Sequence, residues 1–297
     1  AMPMNTETAR ALCDITSAFY RDNATSFSLT RHSAWAGWER ALDQAGFTMN
    51  KPPAHVLDVA CGNMRFLDFL ETRYPGRSFD YRAVDNCPAL AEGAEHGEAP
   101  GADDSVAVSK RASTVRFTGI DIAGALLEEG RRHALAAVFR GDPLADLAVC
   151  FGFFHHVPTM PAREELLRAL VSGVRPGGAI IVSLWQFANS PDLARRARET
   201  DARARAELGL PQLDAGDYLL GWQNKPGAYR YCHSFTRQEA DALVASVEGE
   251  AEPVARFEAD GRTGNLNAYL VLRRASLPAR NDPEPTGEAA GARFRRT

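Results

Sequence analysis

Apolar residues along this chain fall into short runs of strand length, separated by stretches of helical period. The first run is His55-Val56-Leu57-Asp58-Val59. It passes into the small-residue turn Ala60-Cys61-Gly62-Asn63, and then into Met64-Arg65-Phe66-Leu67-Asp68-Phe69-Leu70, whose apolar positions repeat as in a helix. A buried strand, a tight turn and a helix start follow one another within about fifteen residues. Small residues at such a turn let bare backbone approach a ligand that a Cβ would block. Similar runs recur at Tyr81-Arg82-Ala83-Val84, at 115–120, at 146–151 and at 179–185, the last preceded by Arg175-Pro176-Gly177-Gly178. Strands alternating with helices predict a parallel α/β sheet.

The chemistry-bearing residues stand at the ends of these runs. Asp85 closes the second strand, where a carboxylate can accept both hydroxyls of a ribose. Asp121-Ile122 closes the third, offering an acceptor for an adenine amine and an apolar face for its ring. The fourth runs through Phe151 into Gly152-Phe153-Phe154-His155-His156. The first turn lacks G-x-G-x-x-G, which argues against a nicotinamide dehydrogenase.

Flanking segments complete the outline. Residues 5–23 and 31–46 read as two helices, the second ending at Gly46 as a C-terminal cap. Residues 93–113 are rich in glycine, alanine and charge without a period and read as a loop insertion. Residues 191–209 read as a helix with arginines at 195, 196, 198, 203 and 205 set against Asp192, Glu199, Asp201 and Glu207. That near balance predicts a solvated helix with i,i+4 pairs rather than a phosphate rail. An amphipathic helix over 236–247 and two strands, 253–259 and 266–272, close the chain.

Composition narrows the class. With 297 residues and 45% hydrophobic content the chain can bury one large core. No apolar run approaches the roughly 18 residues of a membrane span, and no basic-then-apolar leader stands at the N-terminus. The expected location is therefore cytoplasmic, without membrane contact. Cysteines 13, 61, 87, 150 and 232 form no CxxC pair, so reduced thiols and no metal site are expected. The net charge of −4 argues against a surface that grips nucleic acid throughout. From Arg273 onward, however, six arginines meet three carboxylates in a segment poor in core residues, and 275–297 reads as a disordered basic tail.

The succession Asp58…Cys61-Gly62, Asp85, Asp121-Ile122 and Pro176-Gly177-Gly178 resembles the class I S-adenosylmethionine (SAM) methyltransferases over roughly residues 55–185. That resemblance implies an α/β fold with a seven-stranded Rossmann-like sheet and helices on both faces. It also implies an N-terminal helical lid over 1–50, a methyltransferase domain over 51–274 and a substrate-recognition insertion over 186–235, after strand five. SAM is the implied cofactor, held by Tyr20, Arg31, Asp58, Ala60, Gly62, Asn63, Asp85, Asn86, Asp121, Ile122 and Phe151. Tyr20 and Arg31 of the lid would reach its methionine carboxylate, the arginine through a bidentate pair.

A narrower resemblance runs nearly end to end. The pattern F-Y-x-x-x-A-x-x-F-x-x-T-R-x-x-x-W spans Phe19 to Trp35, and V-L-D-V-x-C-G-N spans Val56 to Asn63. His155-His156 precedes Thr159 and Arg163, and Asp217, Leu219 and Trp222 precede Arg230-Tyr231, His233 and Phe235. These motifs are similar to those of the wobble-uridine tRNA methyltransferases that esterify 5-carboxymethyluridine. Those enzymes usually carry Gly where this chain has Ala60 and Met64, and Met64 is expected to crowd the turn. Eukaryotic members work with a small zinc-binding activator subunit. The resemblance implies that His155, His156, Arg230 and Tyr231 serve the acceptor, with one histidine expected to face the site and the other to cap or pack. The acceptor is then a carboxylate of modified tRNA or a similar group. Two alternatives stand beside it: a small-molecule O- or N-methyltransferase, and a non-catalytic SAM-fold binding subunit. A carboxylate needs no base, whereas a hydroxyl or amine would need His155 or His156 as one.

Overall fold

A computed structural model describes residues 4–30, 33–49, 53–92 and 113–276. The lid residue Arg31, the expected 93–113 loop apart from Ser113, and the expected tail apart from residues 275 and 276 lie outside the described residues.

The five predicted strands form as β1 (Ala54–Val59), β2 (Phe79–Asp85), β3 (Thr114–Gly119), β4 (Ala145–Cys150) and β5 (Val174–Trp185). The terminal pair forms as β8 (Ala251–Ala259) and β9 (Asn267–Arg274), after the insertion strands β6 (Asp217–Gly221) and β7 (Tyr229–His233). One seven-stranded sheet has the order β3-β2-β1-β4-β5-β9-β8. Strands β1 to β5 pair in parallel, while β9 runs antiparallel to both β5 and β8. This is the class I methyltransferase arrangement. Strand order reverses between β1 and β4, and ligands bind outside the carboxyl ends of strands at such a switch point.

Alternation along the strands sorts the core into two layers. Val56, Tyr81, Leu147, Val149 and Ile181 pack with Trp38, Ala41 and Leu42 of α2 (Ala36–Ala45) and with Phe66 and Leu70 of α3 (Arg65–Arg73). Leu57, Val59, Ala148, Cys150 and Ile180 face the other way, onto α5 (Ile122–Leu126), α6 (Glu129–Arg140), α7 (Met160–Ser172) and α9 (Arg237–Ala245). Among the described residues no helix is long and apolar enough to cross a membrane.

Helix α1 (Thr6–Ser28) extends five residues beyond its expected end. Its last turns have a partner: Ala24, Tyr20 and Phe27 pack on Cys87 and Leu90 of α4 (Pro88–Glu92) and its approach. Helix α2 starts at Ala36 rather than at 31, because Trp35 is extended and its ring stacks on Trp38 at 5.7 Å. Gly46 caps it in the left-handed region, as the sequence suggests. The insertion comprises α8 (Pro191–Leu208) and the β6–β7 hairpin, which the periodicity did not reveal as strands. Leu219, Tyr229 and Tyr231 of that hairpin are held between Leu12 of α1 and Ala204 of α8.

Candidate functional site

A cavity of about 400 Å³ opens at the carboxyl ends of the parallel strands. Its floor is Asp58, the 60–63 turn and Asp85-Asn86, with Ile122 on one wall. Phe151, Gly152, Phe153, His155 and His156 follow β4, and Trp185 ends β5. The roof comes from Tyr20, Phe27 and Ser28 of α1, and Arg230 of β7 closes the far side.

The turn after β1 is strained. Ala60 and Met64 both have positive φ, at 59° and 53°, where a Cβ costs about 1–2 kcal/mol. These are the two positions at which the resembling family carries glycine. Met64, expected to crowd the turn, takes the strained positive φ, while its side chain is buried in the core beside α3 and does not line the cavity. Gly62 between them has φ 54° and open space where a Cβ would sit, so the requirement there is conformational.

Two buried carboxylates lie under this turn. Asp85 accepts the Gly62 N–H at 2.9 Å and the Cys87 N–H at 2.8 Å, so it ties the β1 and β2 exits together. Burial raises its pKa, and those backbone donors oppose the rise. Asp58 accepts the Tyr81 hydroxyl at 2.5 Å. Burial pushes its carboxyl up to about 7, with Asp85 adding to the rise and the Tyr81 bond opposing it. Asn63 donates to Ser28 Oγ at 3.3 Å and Asn86 to Ser17 Oγ at 3.0 Å, which joins the floor to α1.

Both histidines line the cavity, and one of them, His156, also caps the Tyr231 carbonyl. Their rings are 4.1 Å apart, and that of His155 lies 5.0 Å from Trp185. His156 is locked at both nitrogens: Nδ1 meets the Tyr231 carbonyl oxygen at 2.6 Å, and Nε2 lies 2.7 Å from the Tyr20 hydroxyl. A carbonyl only accepts, so Nδ1 carries the hydrogen and Nε2 accepts from Tyr20. Burial drives the His156 pKa down to about 3, with the Arg230 charge adding to the fall and the bond to Tyr231 opposing it. His155, His156 and Cys232 bring ligand-type atoms within 4.8 Å of one another. Within it the His156 nitrogens are committed to Tyr231 and Tyr20, and Cys232 Sγ lies 3.8 Å from His156 Nδ1.

Arg230 is 7% exposed. Its guanidinium sits 4.9 Å from the Phe19 ring and 5.5 Å from that of Trp222, and donates to the Gly221 carbonyl at 3.3 Å. Among the described residues it forms no ion pair, whereas the equally buried Arg163 lies 3.6 Å from Asp217.

Two expected site residues stand elsewhere. Tyr231 is fully buried and does not line the cavity. Its hydroxyl donates to Asp217 at 2.6 Å and accepts from Arg163 at 2.9 Å, and only its carbonyl serves the site, by orienting His156. Asp121 caps α5 by accepting the Gly124 N–H and lies 3.7 Å from Arg131, while its neighbour Ile122 does line the cavity. The motif partners Asp217, His233 and Arg163 belong to the same buried network, which clamps the insertion onto the core. Lining residues not expected from the sequence include Trp185, Phe27, Arg65 and Asp260. Asp260 accepts from the Gly37 N–H, the Asn267 amide and the Tyr269 hydroxyl, and its only sequence signal is the Asp260-Gly261 turn.

Comparison with known proteins places this geometry. A family described as "Methyltransferase domain" matches residues 30–239. A protein of Encephalitozoon cuniculi that carries a methyltransferase designation is 24% identical over 225 residues, covering 73% of this chain and 78% of its own. A SAM-dependent methyltransferase structure from Methanosarcina mazei aligns with TM-score 0.50 and 16% identity, over 76% of this chain and 94% of that one. The Burkholderia thailandensis 1,6-didemethyltoxoflavin-N1-methyltransferase, solved with its substrate and S-adenosylhomocysteine, aligns with TM-score 0.50 and 17% identity. It covers 87% of this chain and 88% of its own. This chain belongs to the methyltransferase-domain family.

Proposed function

We propose that this methyltransferase-domain protein transfers a methyl group from SAM to a carboxylate held by Arg230. The cavity suits SAM on its own terms. Asp58 and Asp85 are desolvated carboxylates whose ionised forms gain from a cationic ligand or a pair of hydroxyls, and Asp85 keeps acceptor capacity beyond its backbone bonds. In this reading Asp85 takes the ribose and Ile122 and Phe151 flank the adenine. Gly62 admits the methionine moiety, and Tyr20, Asn63 and Asn86 close the pocket beneath the α1–α2 lid. Arg31 would complete that lid.

When bound, SAM supplies an electrophilic methyl on a sulfonium, so the protein's task is alignment, exclusion of water and placement of charge. Arg230 is the observation that carries the carboxylate reading. A guanidinium so buried, with aromatic faces on its flanks and no acid partner among the described residues, is matched by an anionic group of the acceptor. His156 supports the same choice. A hydroxyl or amine acceptor must lose a proton, and a relay through Tyr20 would deliver that proton to His156 Nε2. An imidazole held at about 3 beside Arg230 does not retain it near neutral pH. A carboxylate is already ionised and avoids that step.

The finer reading, a modified wobble uridine of tRNA, rests on the T-R-x-x-x-W and R-Y-x-H-x-F resemblances. A small carboxylate is the alternative, and the toxoflavin-precursor enzyme provides an example of this fold acting on a small molecule. The test is chemical. The protein is incubated with methyl-labelled SAM and with separated tRNA and small-metabolite fractions, and the labelled product is treated with mild alkali. An ester releases labelled methanol, while an N-methyl or ether product keeps its label and overturns the carboxylate reading. Arg230→Gln is expected to abolish ester formation and leave SAM affinity within about threefold, because the lost contact belongs to the acceptor.

A further inference from the structure

Beyond the first cavity lies a second of about 880 Å³, between α8 and the β6–β7 hairpin. The two share Trp185 and Arg230 as lining residues, so the second lies directly against the Arg230 side of the first. Its lining carries Arg195, Arg196, Arg203, Lys225 and Arg230 against Glu199 and Glu207.

The helix that supplies most of this charge is nearly neutral as a whole, yet its pairs are not shared evenly around it. Arg195 is engaged by Glu199 at 3.0 Å, and Arg205 by Asp201 at 2.8 Å. Arg196 and Arg203 form no ion pair among the described residues. They stand seven residues apart, two turns along one face and on the order of 10 Å along the axis. Lys225, on the hairpin turn, donates to Asn23 Oδ1 at 3.0 Å and has no acid partner among the described residues. Glu207 accepts the Tyr229 hydroxyl at 2.6 Å, which occupies one of its oxygens. Trp222, half-buried and tilted against Phe27 at 5.3 Å, also lines this second cavity.

We infer that this second cavity is an acceptor subsite for phosphate, and that the molecule methylated beside Arg230 carries one or more phosphates placed against Arg196, Arg203 and Lys225. The inference rests on the reading that the acceptor reaches Arg230. A single carboxylate occupies one guanidinium. Cations without an ion pair among the described residues, spread over about 10 Å and across the cavity, match a ligand with several separated anionic oxygens, and the forked guanidinium suits phosphate geometry. The phosphate belongs either to an RNA strand or to a small phosphorylated molecule, and both present the same oxygens.

The test compares wild type with the R196Q/R203Q/K225Q variant, whose three side chains are exposed and whose exchange leaves the core intact. Calorimetry with inorganic pyrophosphate and with uridine 5′-monophosphate, and fluorescence anisotropy with a labelled ten-residue oligouridylate, give the affinities at several salt concentrations. Thermal denaturation and SAM titration serve as folding controls and are expected to match wild type. Pyrophosphate affinity is expected to fall at least tenfold in the variant, and the slope of log affinity against log salt for the oligouridylate to fall by about 2, near 0.7 per lost contact. Oligouridylate binding far tighter than the monophosphate identifies an RNA strand as the source, and comparable binding identifies a small phosphorylated molecule. Wild-type protein that binds none of the three, or a variant that binds them unchanged, overturns the subsite. Ester formation that persists without phosphate binding leaves the Arg230 reading standing and removes only the subsite. Phosphate binding lost in the variant, together with an alkali-stable product, does the reverse.

Discussion

The phenolic oxygen of Tyr20 lies 2.7 Å from Nε2 of His156, joining the N-terminal helix to the loop that leaves β4. The other His156 nitrogen is bonded to the carbonyl of Tyr231 in the insertion, so one imidazole links three separate parts of the chain. The β4 exit, helix α1 and strand β7 therefore meet at a single ring. Helix α1 has a further tie to the same region through the Trp222 indole N–H, which donates to Ser26 Oγ at 3.3 Å.

Tyr20→Phe removes the hydroxyl and keeps the ring that packs edge-on against Phe19 and Phe27. The lost bond leaves His156 Nε2 without that donor, at a cost of about 1–3 kcal/mol. If Tyr20 secures the closed lid, the variant shows weaker SAM binding by calorimetry and faster amide exchange across α1. Unchanged exchange and affinity would show that aromatic packing alone holds the helix.

Asp85→Asn is a gentler probe of the cavity floor than Asp85→Ala, because its one oxygen can keep one of the Gly62 and Cys87 N–H bonds that alanine loses together. The amide retains one acceptor oxygen for the backbone and loses the charge. SAM affinity is expected to fall by about 1.5–3 kcal/mol, tenfold to more than a hundredfold. Equal SAM affinity in titration calorimetry would remove Asp85 from the ribose assignment.

The floor of the site was legible because backbone geometry writes it locally. An apolar run ending in Asp58, a small turn and Asp85 one strand later sit close in sequence and in space. Tyr231 was misplaced for the opposite reason. A motif spacing says that Arg230 and Tyr231 travel together, but adjacent residues on a strand face opposite ways. Here Arg230 lines the cavity while the Tyr231 hydroxyl joins Asp217 and Arg163 in the core. The charge segregation on α8 was hidden too, since counting arginines and carboxylates does not reveal which pairs close. Trp185, Phe27 and Asp260 reach the cavity only through tertiary packing, which no local pattern encodes.

Tyr231→Phe tests the buried position of that hydroxyl. The hydroxyl bridges Arg163 and Asp217, which are 3% and 8% exposed. Removing it leaves buried charged groups short of a partner and should cost about 1–3 kcal/mol of stability, read as a lower denaturant midpoint. Residual activity per folded molecule is expected to stay close to wild type. A large fall in kcat with unchanged stability would return Tyr231 to the acceptor site.

Ala60→Gly should stabilise the protein slightly. The positive φ of Ala60 costs about 1–2 kcal/mol, and the added freedom of glycine in the unfolded chain returns roughly 0.5–1 kcal/mol of that. The net gain of about 0.5–1 kcal/mol appears as a raised denaturant midpoint at unchanged m-value. A lowered midpoint would mean that the Ala60 methyl packs well enough to outweigh its strain.

Stability against pH separates the two buried titrating groups at the site, since it changes wherever folded and unfolded chains bind different numbers of protons. His156 stands at about 3 when folded against 6.5 when free. Between those values the unfolded chain takes a proton that the folded chain refuses, so acidification through that window costs stability. Asp58 stands at about 7 when folded against 3.8 when free. Here the folded chain keeps a proton that the unfolded chain releases, so raising the pH through that window costs stability. The windows overlap between roughly 4 and 6.5, where the two slopes oppose. His156→Gln keeps a donor for the Tyr231 carbonyl and an acceptor for Tyr20, but does not titrate. Relative to wild type it should gain stability steadily as the pH falls from 6.5 to 4. Asp58→Asn should do the reverse, gaining relative to wild type as the pH rises from 4 to 7. Thermal denaturation of the SAM-free proteins from pH 4 to 8 measures both differences. Variant profiles that run parallel to wild type would show that neither group is held away from its ordinary titration.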